Sequence, residues 1–291
     1  MKPIRRGLII LVLSFLATGC AATNKLFTVG ATLDYQTSVH KELRSLPLPE
    51  KRIVVAIYKF KDQTGQYKFH PTATTFSTAV TQGATSMLIK ALDESGWFVP
   101  VEREGLPDLL TERKIIREGQ KESELPPLLS APIVLEGGIV AYETNLITAG
   151  LGGKYYGIGG SADFRRDSVS IYLRTTSVAD GRVIKSVMTQ KSILSKELDF
   201  GIFRFVRVKH LLEVEAGVAA NEPPQMCVLE AIEKAVYSLI LEGVISRVWL
   251  PNEPNEMMPV IKEYLKEKGE ERQAEFDENG NIVVSKTTKN K

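Results

Sequence analysis

Apolar and polar residues alternate on both sides of Asp180-Gly181, a dipeptide typical of a tight hairpin turn. Before it, Val169, Ile171 and Leu173 alternate with Ser168, Ser170 and Tyr172, and after it Arg182 to Leu194 is comparably β-prone. No breaker interrupts either arm near the turn. Followed outward, the arms reach about Tyr156 and about Ile202, so each is roughly 20 residues, or about 65 Å at 3.3 Å per residue. Strands in soluble domains usually stop at about 5 or 6 residues. Part of so long a pair must meet a solvent other than water.

The outer halves differ from the inner ones. From Glu197 to Ala216 the even positions are mostly apolar (Leu198, Phe200, Ile202, Val206, Val208, Leu212, Val214), while the odd ones include Glu197, Asp199, Arg207, Lys209 and Glu213. Phe203-Arg204-Phe205 is the expected tip, with Phe203 and Phe205 suited to a membrane interface. Two alternating runs of about 9 to 11 residues joined by a turn are the pattern of a transmembrane β-hairpin, here 196–216, with Val206, Val208 and Leu212 expected to face lipid. The segment 146–166 is richer in glycine, yet Tyr155, Tyr156 and a Gly-rich turn allow a second hairpin. On periodicity alone, either segment also suits an edge hairpin of a soluble sheet.

Elsewhere strands and helices alternate. Arg52 to Phe60 is apolar on both faces, as in a central strand covered on both sides. Turn residues crowd 62–75, and Ser77 is the expected N-cap of a helix carrying Val80, Ala84, Met87, Leu88, Ala91 and Leu92 up to Gly96. A strand is expected over Trp97–Val101, a helix over Leu106–Gly119, a connector over Pro126–Ser130 and a strand over Ile133–Glu143. Met226–Val244 and Asn255–Gln273 read as helices. Ala274–Lys291 is a polar tail, expected to be disordered, although Glu278-Asn279-Gly280-Asn281 would suit a short hairpin turn.

The N-terminus changes the picture. Lys2, Arg5 and Arg6 precede the apolar run Leu8–Leu16, and Ala17-Thr18-Gly19-Cys20 closes it. That is a secretory signal, too short to span as a helix, and the Cys after Gly19 makes it look like a lipoprotein signal. Cys20 is then the acylated, palmitate-bearing first residue of the mature chain. Ala21 follows in place of an inner-membrane-retaining Asp, so the outer membrane is the expected address. Residues 21–48 read as an extended tether. The expected divisions are a signal peptide (1–19), a lipidated tether (20–48), a periplasmic α/β domain (49–145, with a loop at 62–76), hairpins (146–166 and 196–216) flanking periplasmic strands 167–195, the domain's second part (217–252) and a C-terminal helix with tail (253–291).

The chain has 291 residues with 37 basic and 35 acidic side chains, so one or two globular domains are expected and nucleic acid is unsupported as a partner. With Cys20 modified, Cys227 has no partner for an internal disulfide and is expected to be a buried apolar residue in a helix. His40, His70 and His210 lack ligand-like spacing, so no metal is expected. Gly152-Gly153-Lys154-Tyr155 fails as a phosphate loop, with Thr148 at the leading Gly position and Tyr155 at the hydroxyl position. No nucleophile elbow or paired-carboxylate motif stands out, so neither a cofactor nor an enzyme is expected. Glu112-Arg113-Lys114 with Arg117 suits a solvated helix face or a subunit contact.

Several stretches in order resemble the curli secretion channel, the outer-membrane curli production assembly/transport component family. They are Asp62-Gln63-Thr64-Gly65-Gln66, Phe76-Ser77-Thr78-Ala79-Val80, Glu112-Arg113-Lys114-Ile115-Ile116-Arg117, Tyr156-Gly157-Ile158-Gly159, Phe203-Arg204-Phe205 and Asn221-Glu222-Pro223. The resemblance runs from Cys20 to about Trp249. It implies an α+β subunit: a periplasmic α/β domain plus two transmembrane β-hairpins that build a shared oligomeric barrel. Four strands are too few to close, and their edges would be bare in lipid, so assembly is obligatory. The family implies a nonameric ring sharing one barrel of roughly 36 strands.

The resemblance also places a pore constriction in the loop after the first strand. Phe76 matches the family's Phe, Thr75 stands where Asn is expected, and either His70 or Phe69 stands for the Tyr. The implied function is ATP-independent diffusion of unfolded, curli-type amyloid subunits to the cell surface, with periplasmic and surface accessory factors as further partners. The alternative is a lipid-anchored periplasmic scaffold for another surface structure, whose edge hairpins pair with a partner outside lipid.

Overall fold

The computed structural model describes residues 36–67, 78–119, 125–150, 161–199, 202–206 and 223–286. In chain order its elements are α1 (Ser38–Arg44), β1 (Ile53–Asp62), α2 (Ala84–Glu94), β2 (Phe98–Glu102), α3 (Leu106–Gly119), β3 (Ile133–Gly150), β4 (Ser161–Ser177), β5 (Val183–Asp199), β6 (Ile202–Val206), α4 (Pro223–Ile245), α5 (Pro254–Glu267), β7 (Arg272–Phe276) and β8 (Ile282–Lys286). One sheet has the order β2-β1-β3-β4-β5-β6, and β7-β8 form a separate hairpin.

The sheet is built in two ways. β1 is parallel to both β2 and β3, with Ile57 opposite Glu102 and Leu135, so α2 and α3 serve as crossover helices. From β3 onward the chain runs as an antiparallel meander. The Asp180-Gly181 turn falls where the alternation puts it, and Gly181 takes the positive φ of 72° that favours glycine there.

Residues opposite each other in register share a face, and one face is the core. Val55 and Ile57, Leu135 and Ile139, and Val169, Ile171 and Leu173 are buried beneath α2 and α4. α4 is buried nearly all round because α1, α2, α5 and β8 pack on it away from the sheet. Each buried Leu or Ile there contributes about 1.5–3 kcal/mol. Gly243 lets the chain fold back at the end of α4: a Cβ would stand 1.9 Å from the indole of Trp249.

Three expectations give way to the structure. The helix expected from Ser77 starts at Ala84, because Thr78 bridges Tyr67 and bonds the Val80 carbonyl, holding residues 78–80 out of helix; Ser77 itself lies outside the described residues. The extended tether gives way to α1 at its end, where Val39, Leu43 and Leu46 are buried. The C-terminal helix ends earlier than Gln273, and β7 and β8 replace the disordered tail as a hairpin that buries Ala274 and Ile282. α3 has the expected bounds but buries no residue, leaving Leu110 at 50% and Ile115 at 55% exposure.

Candidate functional site

The segment expected to line a pore is held at its base by the sheet. Asp62 ends β1 opposite Ile139, and its carboxylate accepts from the amide and hydroxyl of Thr64 at 2.9 and 2.8 Å and from Gln82 at 3.1 Å. Gln63 donates its amide to the Ile139 carbonyl at 2.9 Å and its side chain to the Tyr172 hydroxyl at 3.1 Å. Gly65 turns the chain with a φ of 62°. Beyond it, Ala79 donates to the Gln66 carbonyl at 2.8 Å, and Tyr67 bridges Thr78. The two ends of the loop therefore stand together at the end of β1. Phe69, His70, Thr75 and Phe76 lie between them, outside the described residues.

At that same end β3, β4 and β5 continue past β1. β3 spans 18 residues and β4 and β5 span 17 each, so each is about 55–60 Å long at 3.3 Å per residue. The pairing is continuous to Gly150 opposite Ser161 on one side and to Phe164 opposite Lys196 on the other. α4 begins at Pro223 and covers only the inner part, where Thr189 donates to the Ala231 carbonyl at 2.8 Å and Lys191 pairs with Glu230 at 2.5 Å. Among the described residues no helix is long and apolar enough to cross a membrane.

The hairpin expected at 196–216 turns earlier than expected. β6 runs back along β5 with Ile202 opposite Asp199, Phe203 opposite Glu197 and Phe205 opposite Ser195. The reversal thus falls between Asp199 and Ile202, and Phe203 and Phe205 belong to the returning strand instead of a tip. Cross-strand pairing fixes the turn, and an alternating run does not mark its own reversal. Val206 ends β6 opposite Leu194. Cys20, Val208 and Leu212 lie outside the described residues.

Where the strands leave the domain, a polar group that sequence inspection passed over is buried. Asp167, fully buried, accepts from the Tyr142 hydroxyl at 2.7 Å and from Thr144 at 3.0 Å, while its backbone carbonyl faces the Cys227 thiol at 3.6 Å. Burial pushes the Cys227 thiol up to about 12, so it stays protonated and packs as an apolar residue. In the sequence, only the alternation that places Asp167 on the core face gave a sign of this site.

Residues 36–267 match the family described as curli production assembly/transport component CsgG. Proteins of that name from Escherichia coli (strain K12), Salmonella typhimurium (strain LT2) and Citrobacter koseri are each 40% identical over 266 residues, covering 88% of this chain and 96% of the relative. Among solved structures, a hypothetical protein CT253 from Chlamydia trachomatis aligns over 66% of this chain and 97% of its own at 12% identity, with a TM-score of 0.34. A PelC dodecamer from Paraburkholderia phytofirmans aligns over 65% and 90% at 14% identity, with a TM-score of 0.31.

Proposed function

Because this chain belongs to the CsgG family of curli production assembly/transport components, we propose that it is an outer-membrane lipoprotein whose copies assemble into a channel exporting unfolded, curli-type amyloid subunits. The observation that carries this reading is the continuous antiparallel ladder of β3 to β6, which extends beyond the helices at the end of the sheet where the Asp62–Thr78 loop is presented.

Strands that leave a domain in this way have outer edges with unpaired N–H and C=O groups, and in lipid those groups must find partners. Another copy supplies them, so a shared barrel follows. The resemblance implies nine copies per ring. The other end of the sheet is unsuited to that role, since edge strand β2 carries Pro100, which cannot donate to a ladder. A second surface also favours assembly. β1 is apolar on both sides, helix α2 covers one side, and α3 stands with Leu110 and Ile115 exposed.

In this reading the loop, held at its two ends, would bring Phe76, Thr75 and either His70 or Phe69 of every copy around one axis. A ring of such side chains would contact successive peptide groups weakly and with little regard to sequence, and would keep the opening too narrow for folded proteins. Export through it draws on diffusion and on trapping of the substrate outside, without ATP. Cys20 anchors each copy by its lipid.

The test is to extract the full-length protein from outer membranes in detergent, image it by negative stain and measure conductance in planar bilayers. Rings that conduct are expected. Monomers without conductance would favour the lipid-anchored scaffold.

A further inference from the structure

α1 has seven residues, far below the about 12–15 at which isolated helices become even marginally stable in water. Buried Val39, Leu43 and Leu46 hold it to the domain, together with one polar cluster. Thr37, its N-cap, accepts from the His40 amide at 2.8 Å and donates its hydroxyl to Oε2 of Glu233 on α4. His40 Nδ1 stands 3.1 Å from Oε1 of the same carboxylate and 3.6 Å from Oε2 of Glu94 on α2. Thr37, His40 and Glu233 are only 2%, 4% and 2% exposed. One imidazole thus joins three helices.

The neighbouring charges are paired in other ways. Glu94 also meets Lys90 of α2 at 3.5 Å, Glu230 of α4 meets Lys191 at 2.5 Å, and Lys234 of α4 meets Glu267 at 2.7 Å and Glu42 of α1 at 3.6 Å. Among the described residues, His40 is the basic side chain within ion-pair reach of Glu233. With one proton held between them the pair is neutral. When that proton leaves, a carboxylate is buried without a counter-charge and beside a second carboxylate, Glu94, which is costly. Burial drives the Glu233 carboxyl above its ordinary range. The sign agrees: a group whose pKa is raised on folding contributes stability that is present at low pH and lost as pH rises.

We propose that Thr37, His40 and Glu233 form a proton-held latch that fastens α1 to α2 and α4, and that α1 loosens when the pair gives up its proton as pH rises. α1 is where the first 35 residues join the domain, so the latch fixes the point from which that segment departs.

Hydrogen exchange of the full-length protein in detergent, followed by mass spectrometry from pH 5.5 to 9 and corrected for the intrinsic rate at each pH, tests this directly. Protection of residues 39–46 should fall by up to about tenfold per pH unit over the range where docked α1 still holds the proton and loosened α1 has lost it, and level off above that range, while residues 235–244 of α4 keep theirs. Glu233→Gln retains an oxygen acceptor but removes the charge, and should flatten the profile. Lys90→Gln leaves the pair intact and should preserve it. A wild-type α1 whose protection is constant across this range overturns the latch, with no need for any variant to fold. So does a Glu233→Gln profile that matches wild type.

Discussion

Tyr142 donates its hydroxyl to a carboxylate oxygen of Asp167 at 2.7 Å, joining β3 to β4 inside the core just before the strands run past α4. Hydrogen bonds from buried groups to carboxyl oxygens are worth about 1–3 kcal/mol. Tyr142→Phe should therefore lower stability by about that much without changing the fold, as a reduced melting temperature in a thermal scan. An unchanged melting temperature would mean that the bond adds nothing to the junction.

The β7–β8 turn should be acid-sensitive. Bonds from the Asn281 amide, and also from Arg247 and Asn279, hold the Asp277 carboxyl down at about 2, below its ordinary 3.8. A carboxylate depressed on folding contributes stability above its unfolded pKa, and that contribution is lost as pH falls through the folded one. Hydrogen exchange in residues 272–286 should accelerate, relative to the intrinsic rate, between about pH 4 and 2, and Asp277→Asn should remove that step. A wild-type hairpin equally protected at both ends of the range would count against it.

The hairpin faces predict an asymmetry under substitution. If Val208 and Leu212 face lipid, a Lys at either should cost about 2–4 kcal/mol near the middle of the bilayer, whereas exchanging Arg207 or Lys209 should be tolerated. The yield of oligomer in the outer-membrane fraction measures this. Equal losses from both faces would place the segment inside protein.

If Cys20 carries the lipid proposed for it, Cys20→Ser should leave a soluble periplasmic protein that does not insert, because the lipid chains would hold each copy at the membrane before assembly. Fractionation of cells expressing the variant decides it. Full insertion of the unlipidated chain would show that the hairpins suffice.

Phe76→Ala should remove a ring from every copy at once and raise single-channel conductance while the oligomer persists. A core Phe would instead cost about 3–5 kcal/mol of subunit stability and deplete the oligomer. His70→Ala should change the dependence of conductance on pH between 5 and 8, since imidazoles crowded around one axis resist being charged together. Unchanged conductance in a normally assembled Phe76→Ala ring would remove this loop from the constriction.

Local signals were legible in the sequence. Asp180-Gly181 specifies its own turn, and Leu106–Gly119 has the spacing that gives α3 its bounds. Elements stabilised from far along the chain were not. α1 exists because Thr37 and His40 find Glu233, more than 190 residues away, a pairing that no window of sequence contains. β7 and β8 become ordered because Ala274 and Ile282 find a buried place against the helices. Phe203 and Phe205 looked like a tip because aromatics mark membrane interfaces, but the register of β5 with β6 sets the reversal before them. The loop base was legible only as a cluster of turn residues; the bonds from Gln63 to Ile139 and Tyr172 needed the sheet.

The thiol of Cys227 is fully enclosed and held in its unreactive form, and Cys20 would be occupied by lipid. A cysteine introduced at position 70 or 76 would therefore be the sole reactive thiol on each copy. An assembled ring would carry a symmetric crown of identical attachment points, open to maleimide dyes or soft metal ions, with no need to strip native cysteines beforehand. Counting bleaching steps from such a crown would give the copy number directly.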